Sequence, residues 1–416
     1  MKRKIILSLK KFILLLTLPL LFNISSCKNE NKDNNLFLAL FLLSNSGNQY
    51  QWNLPPGFPI PNVPTENPMS QAKVNLGRFL FYDKNLSSNQ MQSCSSCHRQ
   101  SLAFSDGRTV GIGSTGELHP RNPQHLSNVA YHPALTWNNP LMKNLEIQAR
   151  TPLFGENPIE LGLSNDSYLE RFRSNSSYRE LFFKAYGGGM ENINEQNIRF
   201  ALASFQRTLI SGNSSYDKYV YQNQANAMSA SAIRGMEIFN GETAECFHCH
   251  GGFNFTDTTS HTGIKNPEII FNDNGNKSLS NCQNPPTGFS CPTPYSSLSD
   301  NKKGLFELSG RSSDIGKFRA PSLRNIALTF PYMHDGSFQC DNPPTAGTYS
   351  ETCARNALGK VIDHYMRGGL SPSNKDTTLI RGFTLTAQEK TDLIEFLLSL
   401  TDQDFISNSD FSNPFR

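Results

Sequence analysis

One five-residue pattern, present twice, constrains this chain more than any other feature. Cys94-Ser95-Ser96-Cys97-His98 and Cys246-Phe247-His248-Cys249-His250 are both C-x-x-C-H. Two thiols at that spacing can bond the two vinyl groups of one haem, and the adjacent histidine is then held under the iron as axial ligand. With nine Cys and nine His in 416 residues, chance would give about 0.004 such patterns. A redox dithiol needs no trailing histidine, yet both copies carry one. Zinc could use Cys94, Cys97, Cys246 and Cys249 together, but the histidines favour haem.

C-type haem is attached outside the cytoplasm, and the start of the chain agrees. Lys2, Arg3 and Lys4 precede a short apolar run at 13–22, too short for a comfortable membrane span. Ile24-Ser25-Ser26-Cys27 then resembles a lipoprotein processing site, with Ser26 in place of the usual Gly or Ala. Residues 1–27 are expected to be an export signal that leaves a lipid on Cys27, giving a periplasmic protein anchored by that lipid. Residues 28–66, rich in Asn, Lys, Ser and Pro, read as a linker. Its apolar patch at 36–43 is too short to cross a bilayer.

The two motifs stand far enough apart for each to head its own domain, and the chain is long enough for two. We expect one haem domain over 67–225 and a second over 226–416. The fold class is mainly α: two cytochrome-c-like domains with long loops. Ile198, Leu202, Phe205 and Leu209 fall at helical spacing. Thr386-Ala387-Gln388-Glu389 is a capping box opening a helix with Leu393, Ile394, Leu397, Leu398 and Leu400 on its apolar side. Stretches rich in Gly, Asn and Pro at 251–301 and 339–350 read as loops. At 37% hydrophobic and 18% charged residues, the chain is neither a multi-span membrane protein nor a long coiled coil. A net charge of +3 gives no reason to expect nucleic-acid binding.

Further blocks, in order along the chain, carry a resemblance. Leu76-Gly77-Arg78-Phe79-Leu80-Phe81-Tyr82-Asp83 precedes the first motif, and Ala103-Phe104-Ser105-Asp106-Gly107-Arg108 follows it. Pro120-Arg121-Asn122, Asn128-Val129-Ala130-Tyr131 and Trp137 come next. Arg319-Ala320-Pro321-Ser322-Leu323-Arg324-Asn325 and Pro331-Tyr332-Met333-His334-Asp335-Gly336 follow the second motif. With these blocks the chain resembles the bacterial di-haem cytochrome c peroxidases, in their MauG-like branch.

The resemblance implies a division of labour. Peroxide reacts at the first haem, with His98 as proximal ligand. The second haem, on His250, stores and relays an electron. Trp137 corresponds to a tryptophan between the haems that is placed for electron transfer, which we favour over the alternative of a core anchor. Acid–base work on peroxide falls to a glutamate; Glu160 is the better match and Glu156 the alternative. Gln148 matches a glutamine of the same pocket. Many members block the first haem with a loop histidine, whose usual place here is occupied by residues 111–116 without His. Either His119 takes that job or the first haem is always open, which we favour. The second haem's distal ligand falls on Tyr365, the MauG-like choice, or on its neighbour Met366, with His364 a third candidate. A calcium ion between the domains would use Asn122, Thr329 and Pro331. His334 matches a family histidine of structural or electron-transfer role.

Four further cysteines remain. In an exported protein the local pairings 282–291 and 340–353 are expected. Three functions compete. The first is a peroxidase that reduces hydrogen peroxide with electrons from a small cytochrome c or cupredoxin. The second is a MauG-like oxidase that acts on a partner protein or small molecule through a high-valent di-haem state. The third is a non-catalytic electron carrier. The resemblance also makes a homodimer an expected assembly.

Overall fold

The computed structural model describes residues 50–276, 303–369 and 378–415. The export signal, Cys27, the linker to residue 49 and the expected 282–291 bridge lie outside the described residues. Among the described residues, β-structure is limited to isolated bridges. Six helices of eleven residues or more carry the fold: α1 (Gln71–Tyr82), α2 (Ser176–Tyr186), α3 (Glu195–Arg207), α4 (Ala230–Asn240), α5 (Glu351–Met366) and α6 (Ala387–Ser399).

Helices this short are marginal in water on their own, so packing must hold them. In α3, Asn194 caps the first turn by accepting from the Asn197 N–H at 2.9 Å. Ile198, Ala201, Leu202 and Phe205 then line one buried face. That face meets α1, whose Leu76, Leu80 and Phe81 are also buried. The second half repeats the scheme. The capping box forms as expected, with Thr386 N–H donating to Glu389 Oε2 at 2.7 Å and Glu389 N–H to Thr386 Oγ1 at 3.2 Å. Leu393, Phe396 and Leu397 on α6 close onto α4 and its Phe239.

Two apolar cores result. One gathers Leu76, Phe81, Phe104, Ile198 and Phe205; the other gathers Phe239, Phe255, Leu358, Leu393 and Phe396. Burying each of these side chains contributes about 1.5–3 kcal/mol. The expected bridge between Cys340 and Cys353 is present and ties the start of α5 to the loop before it.

The linker reading does not hold for residues 50–66. Phe58 is buried, and its ring lies 4.9 Å from that of Phe253. The Tyr131 hydroxyl donates to Pro59 O at 2.7 Å, and Asn62 Nδ2 to Ser260 Oγ at 2.7 Å. Aromatic anchors and fixed proline φ angles make this stretch an extended strap rather than a loose tether.

Candidate active site

The first motif forms a short helix, Cys94–Cys97, entered through Ser93, whose N–H donates to Ser96 Oγ at 3.0 Å. His98 follows, and its Nδ1 lies 2.8 Å from the carbonyl of Phe104. A carbonyl can only accept, so Nδ1 carries the proton and Nε2 keeps its lone pair. This is how a metal-ligating imidazole is usually oriented. Positive φ at Ala103 and Phe104 (53° and 64°) turns that carbonyl back toward the ring. The second motif is built alike. His250 Nδ1 lies 3.3 Å from the carbonyl of Phe255, itself at positive φ.

None of Cys94, Cys97, Cys246 and Cys249 is in a disulfide. Burial pushes the thiols of Cys94 and Cys246 up to about 12 and that of Cys97 to about 11. Four thiols outside any disulfide, beside two imidazoles each held at Nδ1 by a main-chain carbonyl, are the donor set that two c-type haems need.

Glu160 stands at the first motif. Its charge acts on the thiols of both Cys94 and Cys97, and burial pushes its carboxyl up to about 7. The side chain keeps 37% of its area accessible. Glu156 is exposed on the same turn. Gln148 ends the short helix Leu145–Gln148, half-buried, and among the described residues no hydrogen bond joins it to Glu160. His119 lies beside Glu160, with Nε2 3.6 Å from Oε1.

At the second motif a cavity is lined by Cys246, Cys249, His250, Trp137, Asn274 and Tyr365. Helix phase separates the three ligand candidates. Tyr365 points into the cavity, and its hydroxyl accepts from Asn274 Nδ2 at 3.2 Å. Burial holds this phenol well above its usual range. Met366 packs against the second core instead. His364 is fully buried, with Nε2 2.9 Å from Asn274 O and its ring against Phe338.

Trp137 joins the two halves. Its Nε1 donates to Asn122 O at 2.8 Å, and its own carbonyl accepts from Arg319 N–H at 2.9 Å. His334 also lines the cavity, stacked on Phe318 at 3.7 Å. Asn122, Thr329 and Pro331 lie on the same cavity wall, and the Asn122 side-chain amide donates to Arg108 O at 2.7 Å.

Two features carry no site role in the sequence. Arg319 is buried on the cavity wall, its pKa brought down to about 10 by burial. Its hydrogen-bond partners among the described residues are uncharged: Gln124 Oε1 at 2.5 Å, His132 Nδ1 at 2.7 Å and main-chain carbonyls. Such a guanidinium suits a haem propionate. The second feature is a repeat. Phe104-Ser105-Asp106 and Phe255-Thr256-Asp257 follow the two histidines at similar distances. Burial pushes both aspartates up to about 6. Each keeps one carboxylate oxygen without a hydrogen bond.

Comparison with known proteins agrees with this arrangement. The family model for di-haem cytochrome c peroxidase matches residues 71–225. Cytochrome-c peroxidase IdrP1 of Pseudomonas sp. strain SCT is 33% identical, over 86% of this chain and 89% of its own. The methylamine utilization protein MauG of Methylorubrum extorquens is 31% identical, over 81% and 80%. The crystal structure of a MauG-like protein associated with microbial copper homeostasis superposes with a TM-score of 0.76 at 41% identity, covering 88% of this chain and all of that one. With its two haem-attachment motifs on a mainly helical fold, the chain is a redox enzyme and belongs to the bacterial di-haem cytochrome c peroxidase and MauG-like family.

Proposed function

We propose that the protein is a MauG-like oxidase, which uses peroxide at the first haem to oxidise a partner protein or small molecule. The observation that carries this reading is Tyr365, which lines the second cavity while the half-buried Met366 packs against the second core. A thioether raises the reduction potential of a haem, whereas a phenolate favours the ferric state and an oxidising role. The 41% identity to a MauG-like structure points the same way.

In this reading the haems, when bound, supply the redox chemistry at peroxide. The chain supplies the rest. Glu160 takes a proton from one peroxide oxygen and returns it to the other, which leaves as water. A carboxyl near 7 is matched to both directions of that transfer. His98 and His250 would hold iron through Nε2, and Trp137 would provide an aromatic step between the halves. The resemblance gives Gln148 a place in the same pocket as Glu160. The haem domains divide at 225/226. The protein is exported and lipid-anchored at Cys27; no described helix is long and apolar enough to cross a membrane. A calcium ion at Asn122, Thr329 and Pro331 belongs to the same resemblance. No group of three Asp, Glu, His or Cys gathers for a metal among the described residues, so carbonyl oxygens and water would have to be its ligands.

The test is a titration of the di-haem protein with hydrogen peroxide, with and without a reduced small cytochrome. A lasting spectral change without cytochrome turnover is expected. Rapid turnover of the cytochrome would instead make the protein a peroxidase, as its relative IdrP1 is named. No reaction in either arm would leave an electron carrier.

A further inference from the structure

We propose that His119 is a fixed partner of Glu160, orienting its carboxyl and steadying the charged form, and that the loop carrying it is not a gate. This positioning role rests on the reading of Glu160 as the acid–base group.

The loop is closed on itself. Ile112 pairs with Leu118, Gly113 N–H donates to Glu117 O at 2.8 Å, and His119 N–H donates to Gly111 O at 2.8 Å. It is also fastened to the Glu160 turn from both sides. Ser114 N–H donates to Glu160 O at 2.7 Å. Ile159 N–H donates to Glu117 Oε2 at 2.7 Å. Gly113 presses so near that a Cβ there would lie 1.7 Å from Ile159 O. A third tie runs to the segment before Cys94, where Asn89 Nδ2 donates to Ser114 O at 2.6 Å and Gln92 Nε2 to Ile112 O at 3.2 Å. A gate would have to break these bonds together.

Within the loop, the Arg121 N–H donates to His119 Nδ1 at 3.2 Å. That uses the Nδ1 lone pair, so the neutral ring carries its proton on Nε2, the atom 3.6 Å from Glu160 Oε1. The separation is just beyond a hydrogen bond, and such catalytic contacts tighten when a substrate is bound. Burial lowers the pKa of His119 and raises that of Glu160, so near neutrality the ring donates as a neutral group. The other ionisable groups around the pair are Glu117 and Arg121 on the loop, Glu156 in the Glu160 turn, and the Cys94 and Cys97 thiols, with Asp106 and Arg108 behind Cys97.

The test is cyanide binding to the ferric di-haem protein, followed by stopped flow across pH. Hydrogen cyanide must give up its proton to bind, so the association rate falls as Glu160 becomes protonated. Glu160→Gln removes that acid limb. His119→Phe loses the N–H donor, which disfavours the carboxylate and moves the limb up by about one pH unit. Association then slows by up to about tenfold below the limb. His119→Gln keeps a donor and stays close to wild type. If the phenylalanine protein does not fold, His119→Ala takes its place with the same expectations. A limb that stays put in His119→Phe, while Glu160→Gln abolishes it, overturns the proposal alone. So does a resting spectrum in which His119→Phe frees a coordination position on the first haem, because His119 would then be an iron ligand. A limb that survives Glu160→Gln defeats the acid–base reading and takes this proposal with it.

Discussion

At the scale of single residues, the covalent chemistry was legible in the sequence and the non-covalent choices were not. Cys94, Cys97, Cys246, Cys249 and the two following histidines announce themselves because thioether attachment fixes their spacing. Tyr365 and Met366 are neighbours on a helix, about 100° apart in direction, and only the phase of α5 against the cavity decides between them. We therefore expect Tyr365→Phe to change the ferric spectrum of the second haem and raise its reduction potential in a spectroelectrochemical titration. Met366→Leu should leave both unchanged, and the reverse pattern would hand the ligand role to Met366. Glu160 was picked over Glu156 by resemblance, but its ionisation is set by burial, which sequence does not print. Because the carboxylate is the form that accepts a proton and its pKa is about 7, the peroxide reaction should rise with pH through about 7. Glu160→Gln should slow it by about 10²–10⁴-fold and flatten that profile. A stopped-flow series from acid to alkaline buffer measures both. Asp106 stands in a block that carries the resemblance, but its pairing with Asp257 shows only in the repeated Phe-Ser/Thr-Asp after each motif.

At the scale of elements, periodicity and capping were enough to find α3 and α6. Both were anticipated with the correct apolar faces, although Phe396 was missed. Asp392 shows what patterning misses. It is a carboxylate 2% exposed on the inner side of α6, where alternation predicts an apolar residue. Arg234 on α4 explains it, through Nε and Nη2 contacts at 2.7 and 2.8 Å to the two carboxylate oxygens. The two halves also share a crossing device. A Cβ on Gly77 of α1 would lie 1.9 Å from Ala201 O of α3. One on Gly235 of α4 would lie 1.9 Å from Asp392 O of α6. In each pair a glycine lets one helix backbone rest on the other, and a phenylalanine four residues later, Phe81 or Phe239, fills the core beside it. Gly77→Ala forces the α1–α3 crossing apart, and overpacking of this kind costs about 1–3 kcal/mol. That exceeds the gain of up to about 1 kcal/mol in helix propensity. A lowered urea midpoint with an unchanged slope is the expected result. A gain in stability would mean that the crossing has slack.

At the scale of the whole molecule, the sequence shows two haem motifs but not what joins their surroundings. The joining contacts pair residues far apart in the chain, and no local pattern announces such pairs. Arg324 is fully buried and reaches Asp217 with Nη1 2.6 Å from each carboxylate oxygen. Phe58 from the strap, Tyr216 and Phe255 surround its guanidinium at 5.1–5.8 Å. Nearby, Asn128 of the first half donates to Asn254 Oδ1 at 3.0 Å, and Asn325 of the second donates to Ser127 Oγ at 2.9 Å. A buried charge pair is costly to desolvate, and its two members are worth keeping only together. Asp217→Asn leaves the Arg324 charge buried without its counter-ion and should cost about 3–5 kcal/mol of unfolding free energy. Arg324→Met alone strands the carboxylate and should cost a similar amount. The double variant Asp217→Leu/Arg324→Met removes both charges, so its loss should fall well short of the sum of the two singles. Urea unfolding of the three proteins closes the cycle. Simple additivity would mean that the pair contributes no coupling, and that the aromatic rings and the asparagine network hold the halves together without it.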